Sequence, residues 1–170
     1  NVTSAGTVTT SGAFLTATGS TLDANDVSIG GTSSLGGNVT TTAGQTYTGA
    51  TTLTGDVRLQ GSAITAASIE GNGHSLDLQS TTNVTGDIAN VATLVTATAS
   101  NLTAASITAT GPSSLGGNVT TTTGNQSYGG TTLTAASTLS ANGGAGTIST
   151  GTVTGNGNNP LWTIKSVQLR

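Results

Sequence analysis

Cysteine and methionine are absent from the 170 residues, and histidine occurs once, at His74. That excludes a disulfide scaffold, a thiolate metal site and a cysteine nucleophile, and it leaves no set of histidines to hold a metal. Charge is nearly as scarce: charged residues make up 5% of the chain, against roughly 25% in an ordinary globular domain. Three cations, Arg58, Lys165 and Arg170, are too few to neutralise a phosphate backbone, so nucleic acid is not an expected partner. No apolar run reaches the roughly 18 residues of a membrane-spanning helix. A charged segment leading into an apolar stretch is also missing, and we read the residues as the mature form of an exported, extracellular or cell-surface protein. Aromatic residues make up only 2%, which weighs against the alternative architecture, a pair of repeated β-sandwich domains of about 80 residues each, whose cores use aromatic anchors.

What fills the chain instead is Thr (39), Ser (19) and Gly (26). Polar, Gly-rich chains are often disordered, but disorder pairs low hydrophobicity with high net charge. Here the mean hydropathy is +0.06 and the net charge −3. The apolar residues are mostly Val, Leu and Ile, and they alternate with polar ones in Thr52-Leu53-Thr54, Val57-Arg58-Leu59 and Leu76-Asp77-Leu78. That is the period of a half-buried strand. Turn clusters such as Gly36-Gly37-Asn38, Gly71-Asn72-Gly73 and Gly143-Gly144 interrupt it every few residues. Thr, Val and Gly all disfavour helix. The expectation is all-β.

An internal repeat refines it. Residues 14–54 align without gaps onto 94–134 at an offset of 80, with 23 of 41 positions identical, and the decapeptide Ser33–Thr42 recurs unchanged as Ser113–Thr122. Within the 80-residue unit a weaker spacing of about 20 places coil starts near Ser34, Thr54, His74, Val95 and Ser114. Short units that cannot bury an apolar face alone stack into solenoids. We therefore expect a parallel β-solenoid of about eight coils of roughly 20 residues, spanning 1–158, with repeat units 14–93 and 94–158. Aliphatic side chains would point in and hydroxyls out. Like residues stack on like in such a fold, which makes charge costly and accounts for its scarcity.

The stretches Val39 to Leu53 (VTTTAGQTYTGATTL) and Val119 to Leu133 (VTTTTGNQSYGGTTL) resemble repeats of filamentous-haemagglutinin-like surface adhesins, the exoproteins of the two-partner secretion type. The resemblance implies a right-handed parallel β-helix, export, and a role in adhesion, biofilm or surface fibres, and it carries over no catalytic residue. The amino-terminal secretion module of that family, with its Asn-Pro-Asn motifs, has no counterpart; the nearest sequence is Asn158-Asn159-Pro160.

Few residues suggest chemistry. Asp23 and Asp26 lie three apart, a spacing open to glycoside hydrolysis or calcium binding, yet their offset-80 counterparts are Thr103 and Ser106. A turn or edge role is expected. His74 follows Gly-Asn-Gly and is read as a turn residue. Gly71-Asn72-Gly73 and Gly155-Asn156-Gly157 lack the helix and lysine of a phosphate loop. Tyr47 and Tyr128 hold matching places and are expected to pack. Thr-x-Thr triplets at Thr7, Thr16, Thr46 and Thr96 raise ice binding, but stepping by 20 from Thr40 and Thr42 gives Gln60 and Ser62, so those ranks break. Six Asn-x-Thr/Ser sequons occur, at Asn1, Asn38, Asn83, Asn101, Asn118 and Asn125; Asn38, Asn83, Asn101 and Asn118 are the candidate glycosylation sites.

The last segment, 159–170, differs from the rest and holds the only Trp and two of the three cations. It reads as a cap on an otherwise open solenoid end, or as a docking strand for a neighbouring chain. The candidate assembly residues are Leu161, Trp162, Ile164, Lys165, Val167, Leu169 and Arg170. The function expected is that of a non-enzymatic extracellular structural protein, part of a surface fibre or adhesin. Its partners would be further copies of itself, head to tail, and host or matrix glycans; no metal or other cofactor is expected. The alternatives are an ice-binding solenoid and a polysaccharide-binding or polysaccharide-active β-helix.

Overall fold

The computed structural model of the chain describes residues 1–155, 163–165 and 167–169. Among these, regular structure is β-strand throughout, apart from one short 3-10 turn at Asn142–Gly144. Coils of about 19 residues stack into a parallel β-solenoid of about eight turns. Each coil lays down three strands, so three ladders run the length of the molecule.

The register can be followed through residues one coil apart. The first ladder runs Val2, Leu22, Val39, Leu59, Leu78, Thr96, Leu115, Leu133, Gly155. The second runs Val8, Val27, Gln45, Ile64, Thr82, Leu102, Val119, Leu139, Ile164. The third runs Phe14, Ser33, Thr51, Ile69, Ile88, Ile107, Gln126, Ile148, Val167. In the interior coils, alternation along each strand puts these residues on the inside and their neighbours on the outside. In the interior coils the aliphatic members are sealed: Val27, Leu35, Leu53, Leu76, Ile88 and Leu115 are all 0% exposed. Each such side chain contributes about 1.5–3 kcal/mol through removal from water. The thin core is thus mostly a stack of Val, Leu and Ile, with Ala, two tyrosines and a few buried Thr, Ser and Gln set into it.

The recurring decapeptide makes one strand end, one corner and the next strand. Leu35 and Val39 fill the core on two adjacent faces, as Leu115 and Val119 do in the second unit. Gly36-Gly37 forms the corner between them. A Cβ on Gly37 or Gly117 would collide with the backbone carbonyl of Ser20 or Ser100 in the coil before, so only glycine fits that close approach. Asn38 and Asn118 begin the next strand, and each side-chain Oδ1 accepts a backbone N–H from the following coil: Arg58 at 2.9 Å and Thr138 at 2.8 Å.

One feature of the repeat is corrected by the ladders. Four whole coils per 80-residue unit would return each residue to its own face. Instead Val39 lies in the first ladder and its counterpart Val119 in the second, while Leu35 lies beside the third and Leu115 in the first. Each 80-residue step therefore advances by four coils and one face. The physical reason is coil length. Side chains that bridge adjacent coils join residues 17, 19, 20 and 22 apart, because corners differ in length while strands keep their register.

Candidate functional site

The residues with chemical potential are dispersed by this fold. Asp23 faces outward from the strand Thr21–Ala24 on the first face, and Asp26 opens the strand Asp26–Ile29 on the second, across a corner. Asp23 pairs in register with Thr3 and Thr40, and Asp26 with Thr7, so the two carboxylates do not converge on a shared cleft. Among the described residues no group of three or more His, Cys, Asp or Glu could hold a metal ion. Among the same residues no helix is long and apolar enough to cross a membrane.

His74 has a partner that sequence separation hid. Coil stacking brings Asp56 Oδ1 to 3.9 Å from His74 Nδ1. That same carboxylate oxygen accepts the Ser75 backbone N–H at 2.8 Å, and the His74 N–H donates to Gly71 O at 2.8 Å. The Asp56 side chain is thus tied to the turn after Gly71, and through Ser75 it fastens one corner to the next. Arg58 lies beside Asp77, Nε to Oδ2 at 3.6 Å, on an exposed part of the first face. Gln79 donates a short hydrogen bond to the other oxygen of Asp77.

Tyr47 and Tyr128 are core residues, 1% and 4% exposed. Each hydroxyl donates to a buried glutamine two residues earlier, Gln45 Oε1 and Gln126 Oε1, both at 3.0 Å. Gln45 Nε2 donates to Val39 O at 3.0 Å and Gln60 O at 2.8 Å; Gln126 Nε2 donates to Val119 O at 3.2 Å and Ser140 O at 2.8 Å. Every polar atom of this clamp is used, which is the condition for a polar group to sit in an apolar core. Burial pushes both phenols well above the ordinary tyrosine pKa. The sequence reading placed the tyrosines but passed over the glutamines. The available signal was Gln-x-Tyr, present in both units one residue out of phase.

Threonines divide by ladder position. Thr16 and Thr96 point inward and accept the N–H of Gly36 at 2.9 Å and Gly116 at 3.0 Å, so the triplets they begin are corner fasteners. The rank through Thr40 does break, at Asp23 on one side and Gln60 on the other. A different rank does not. On the second face the outward position reads Thr9, Ser28, Thr46, Thr65, Asn83, Thr103, Thr120, Ser140 through successive coils. A fixed step of 20 could not find it, because the true steps vary.

No family model, no curated protein and no solved structure matches this chain.

The candidate glycosylation residues all reach solvent. Asn38, Asn83, Asn101 and Asn118 are exposed, and Asn101 pairs in register with Asn118 on the second face. Of the candidate assembly residues, Leu161, Trp162 and Arg170 lie outside the described residues. Ile164 and Lys165 belong to the strand Thr163–Lys165, paired with residues 138–140, and Val167 and Leu169 to the strand Val167–Leu169, paired with 148–150. Both strands run parallel in the chain's own ladders. At the other end, a cavity of about 310 Å³ opens among Val2, Val8, Phe14 and Leu22.

Proposed function

We propose that the chain is a non-enzymatic structural rod, a segment of an exported surface fibre or adhesin. The observation that carries this reading is the uninterrupted stacking of three ladders with aliphatic side chains inside and a nearly uncharged hydroxyl surface outside. Such a rod gives reach and stiffness with few charges, and its stability depends little on ionic conditions. The placement of Asp23 and Asp26 on different faces, with His74 in a later coil, favours structure over catalysis. The likeness of residues 39–53 and 119–133 to haemagglutinin-type repeats points the same way, and with it go association with further copies and with host or matrix glycans. Glycans on Asn38, Asn83, Asn101 or Asn118 belong to this reading, and intact mass tests them. The reading as a whole is tested by antibody labelling of intact and permeabilised source cells. Labelling of intact cells supports it; labelling only after permeabilisation contradicts it.

A second reading has one observation in its favour. The rank from Thr9 to Ser140 is an ordered array of Thr and Ser hydroxyls interrupted by one carboxamide, Asn83, close to the sort that holds water in ranks against ice. A thermal hysteresis assay decides it: measurable hysteresis favours ice binding, and its absence returns the face to a fibre surface.

A further inference from the structure

Asparagine is followed by glycine at Asn72-Gly73, Asn142-Gly143 and Asn156-Gly157; the last pair lies outside the described residues. Glycine has no side chain to shield its backbone nitrogen, so that nitrogen can reach the carboxamide before it. The two described pairs share a backbone conformation. Asn72 and Gly73 have φ of 48° and 76°, Asn142 and Gly143 of 45° and 60°, and all four residues are exposed. What separates them is how each pair is held.

The first pair is pinned. The Asn72 backbone N–H donates to Glu70 Oε1 at 3.2 Å and its Nδ2 to Leu53 O at 3.3 Å, while the Gly73 N–H donates to Asn90 O of the next coil at 2.7 Å. The corner at Asn142 is built otherwise. Six residues separate Ala141 from Ile148, where the same corner takes four between Thr121 and Gln126 and two between Ala104 and Ile107. The extra length stands out from the stack as the 3-10 turn Asn142–Gly144, with residues 142–145 exposed. The Ala145 N–H closes that turn on Asn142 O at 2.9 Å, and the Gly146 N–H donates to Ala141 O at 3.0 Å. The Gly143 N–H precedes both donors, in the opening part of a turn where N–H groups have no partner within it. Among the described residues no hydrogen bond holds the Asn142 carboxamide.

We propose that Asn142 is a site of self-modification, converting to aspartate and isoaspartate in the folded protein while Asn72 is spared. The Gly143 nitrogen gives its proton to solvent base and bonds to Asn142 Cγ. The Cγ–Nδ2 bond breaks, the nitrogen leaves as ammonia, and a succinimide ring closes. Water then adds to either ring carbonyl and opens the ring to aspartate or isoaspartate; nothing is oxidised or reduced. At Asn72 the leaving group and the attacking nitrogen are both engaged in hydrogen bonds that must break first. Isoaspartate routes the main chain through one more carbon. Residues 142–147 make no ladder pair between the strands Thr138–Ala141 and Ile148–Thr150, so this corner takes up the added atom without shifting the register. The product adds one negative charge to a chain whose net charge is −3. The site goes beyond the fibre reading and does not rest on it.

The test is a time course on the full chain in mildly alkaline buffer, read by fragmentation mass spectrometry that localises the amide-to-acid mass gain and distinguishes isoaspartate. In the folded protein conversion at Asn142 is expected to run roughly tenfold or more faster than at Asn72, the factor set by the two hydrogen bonds that hold the latter. The same time course in strong denaturant supplies the control, because both sites are Asn-Gly and their rates should there become alike. Strand signal in far-UV circular dichroism should persist as Asn142 converts. Comparable rates at the two sites in the folded chain, faster conversion at Asn72, or an Asn142 that reacts only in denaturant overturns the proposal. Loss of strand signal in step with conversion overturns the claim that this corner lies outside the ladders.

Discussion

The decapeptide at Ser33–Thr42 and its copy at Ser113–Thr122 are identical in sequence and identical in local work, yet they lie on different faces. Both place a leucine, a two-glycine corner, a capping asparagine and a valine. Ser33 and Ser113 even share a buried hydroxyl without a hydrogen-bond partner. The comparison separates two levels of encoding. Residue type fixes the strand-corner-strand unit, whereas the face it occupies depends only on how many residues precede it. A solenoid tolerates this because each coil touches only its neighbours.

The comparison makes a symmetric set of expectations, since paired substitutions should cost alike wherever they fall. Largest are the corners: Gly37→Val and Gly117→Val force a side chain into the preceding coil's backbone, and each is expected to cost about 3 kcal/mol or more in urea denaturation. Next comes the core, where Leu35→Ala and Leu115→Ala should each cost about 2–5 kcal/mol. The clamps follow. Gln45→Leu and Gln126→Leu strand a buried phenol and two carbonyls, for about 2 kcal/mol each, and Tyr47→Phe added to Gln45→Leu should cost less than the sum. Smallest are the caps, Asn38→Ala and Asn118→Ala, at about 0.5–1.5 kcal/mol each. A clear difference within any pair would mean that the face, and not the unit, sets the energetics.

The clamps also predict a pH dependence. Burial raises both phenols in the folded chain, while the unfolded tyrosines ionise near 10.0. Their contribution is therefore complete below pH 10 and falls as pH rises above it. Tyrosinate absorbance should appear together with loss of strand signal; ionisation ahead of unfolding would contradict the clamp. The Arg58–Asp77 pair, with Arg58 exposed and Asp77 half-buried, is the opposite case, and Asp77→Asn should change stability by less than about 1 kcal/mol.

Much of the fold was legible because its signals are local. Val57-Arg58-Leu59 and Leu76-Asp77-Leu78 declare strands, and in the structure they stack directly. What was not legible depends on accumulated length. A step of 20 links Thr40 to Gln60 correctly, but it misses the rank through Thr46 and Thr65 because those coils are shorter. Asp56 and His74 meet for the same reason, one coil apart with no motif to announce them. Gln45 and Gln126 were overlooked because a polar residue reads as outward; only the completed hydrogen-bond set lets it turn in.

Variable coil length is the claim most open to a direct measurement. Thr103 and Thr120 are register partners 17 residues apart, a spacing that an even 20-residue coil would not pair. With cysteines at both positions, parallel strands hold the Cα atoms within the roughly 4.4–6.8 Å that a disulfide needs. Mild oxidation should close Thr103→Cys with Thr120→Cys nearly completely, and Thr103→Cys with Thr123→Cys slowly or not at all. Faster closure of the second pair would contradict the register on which all three ladders depend.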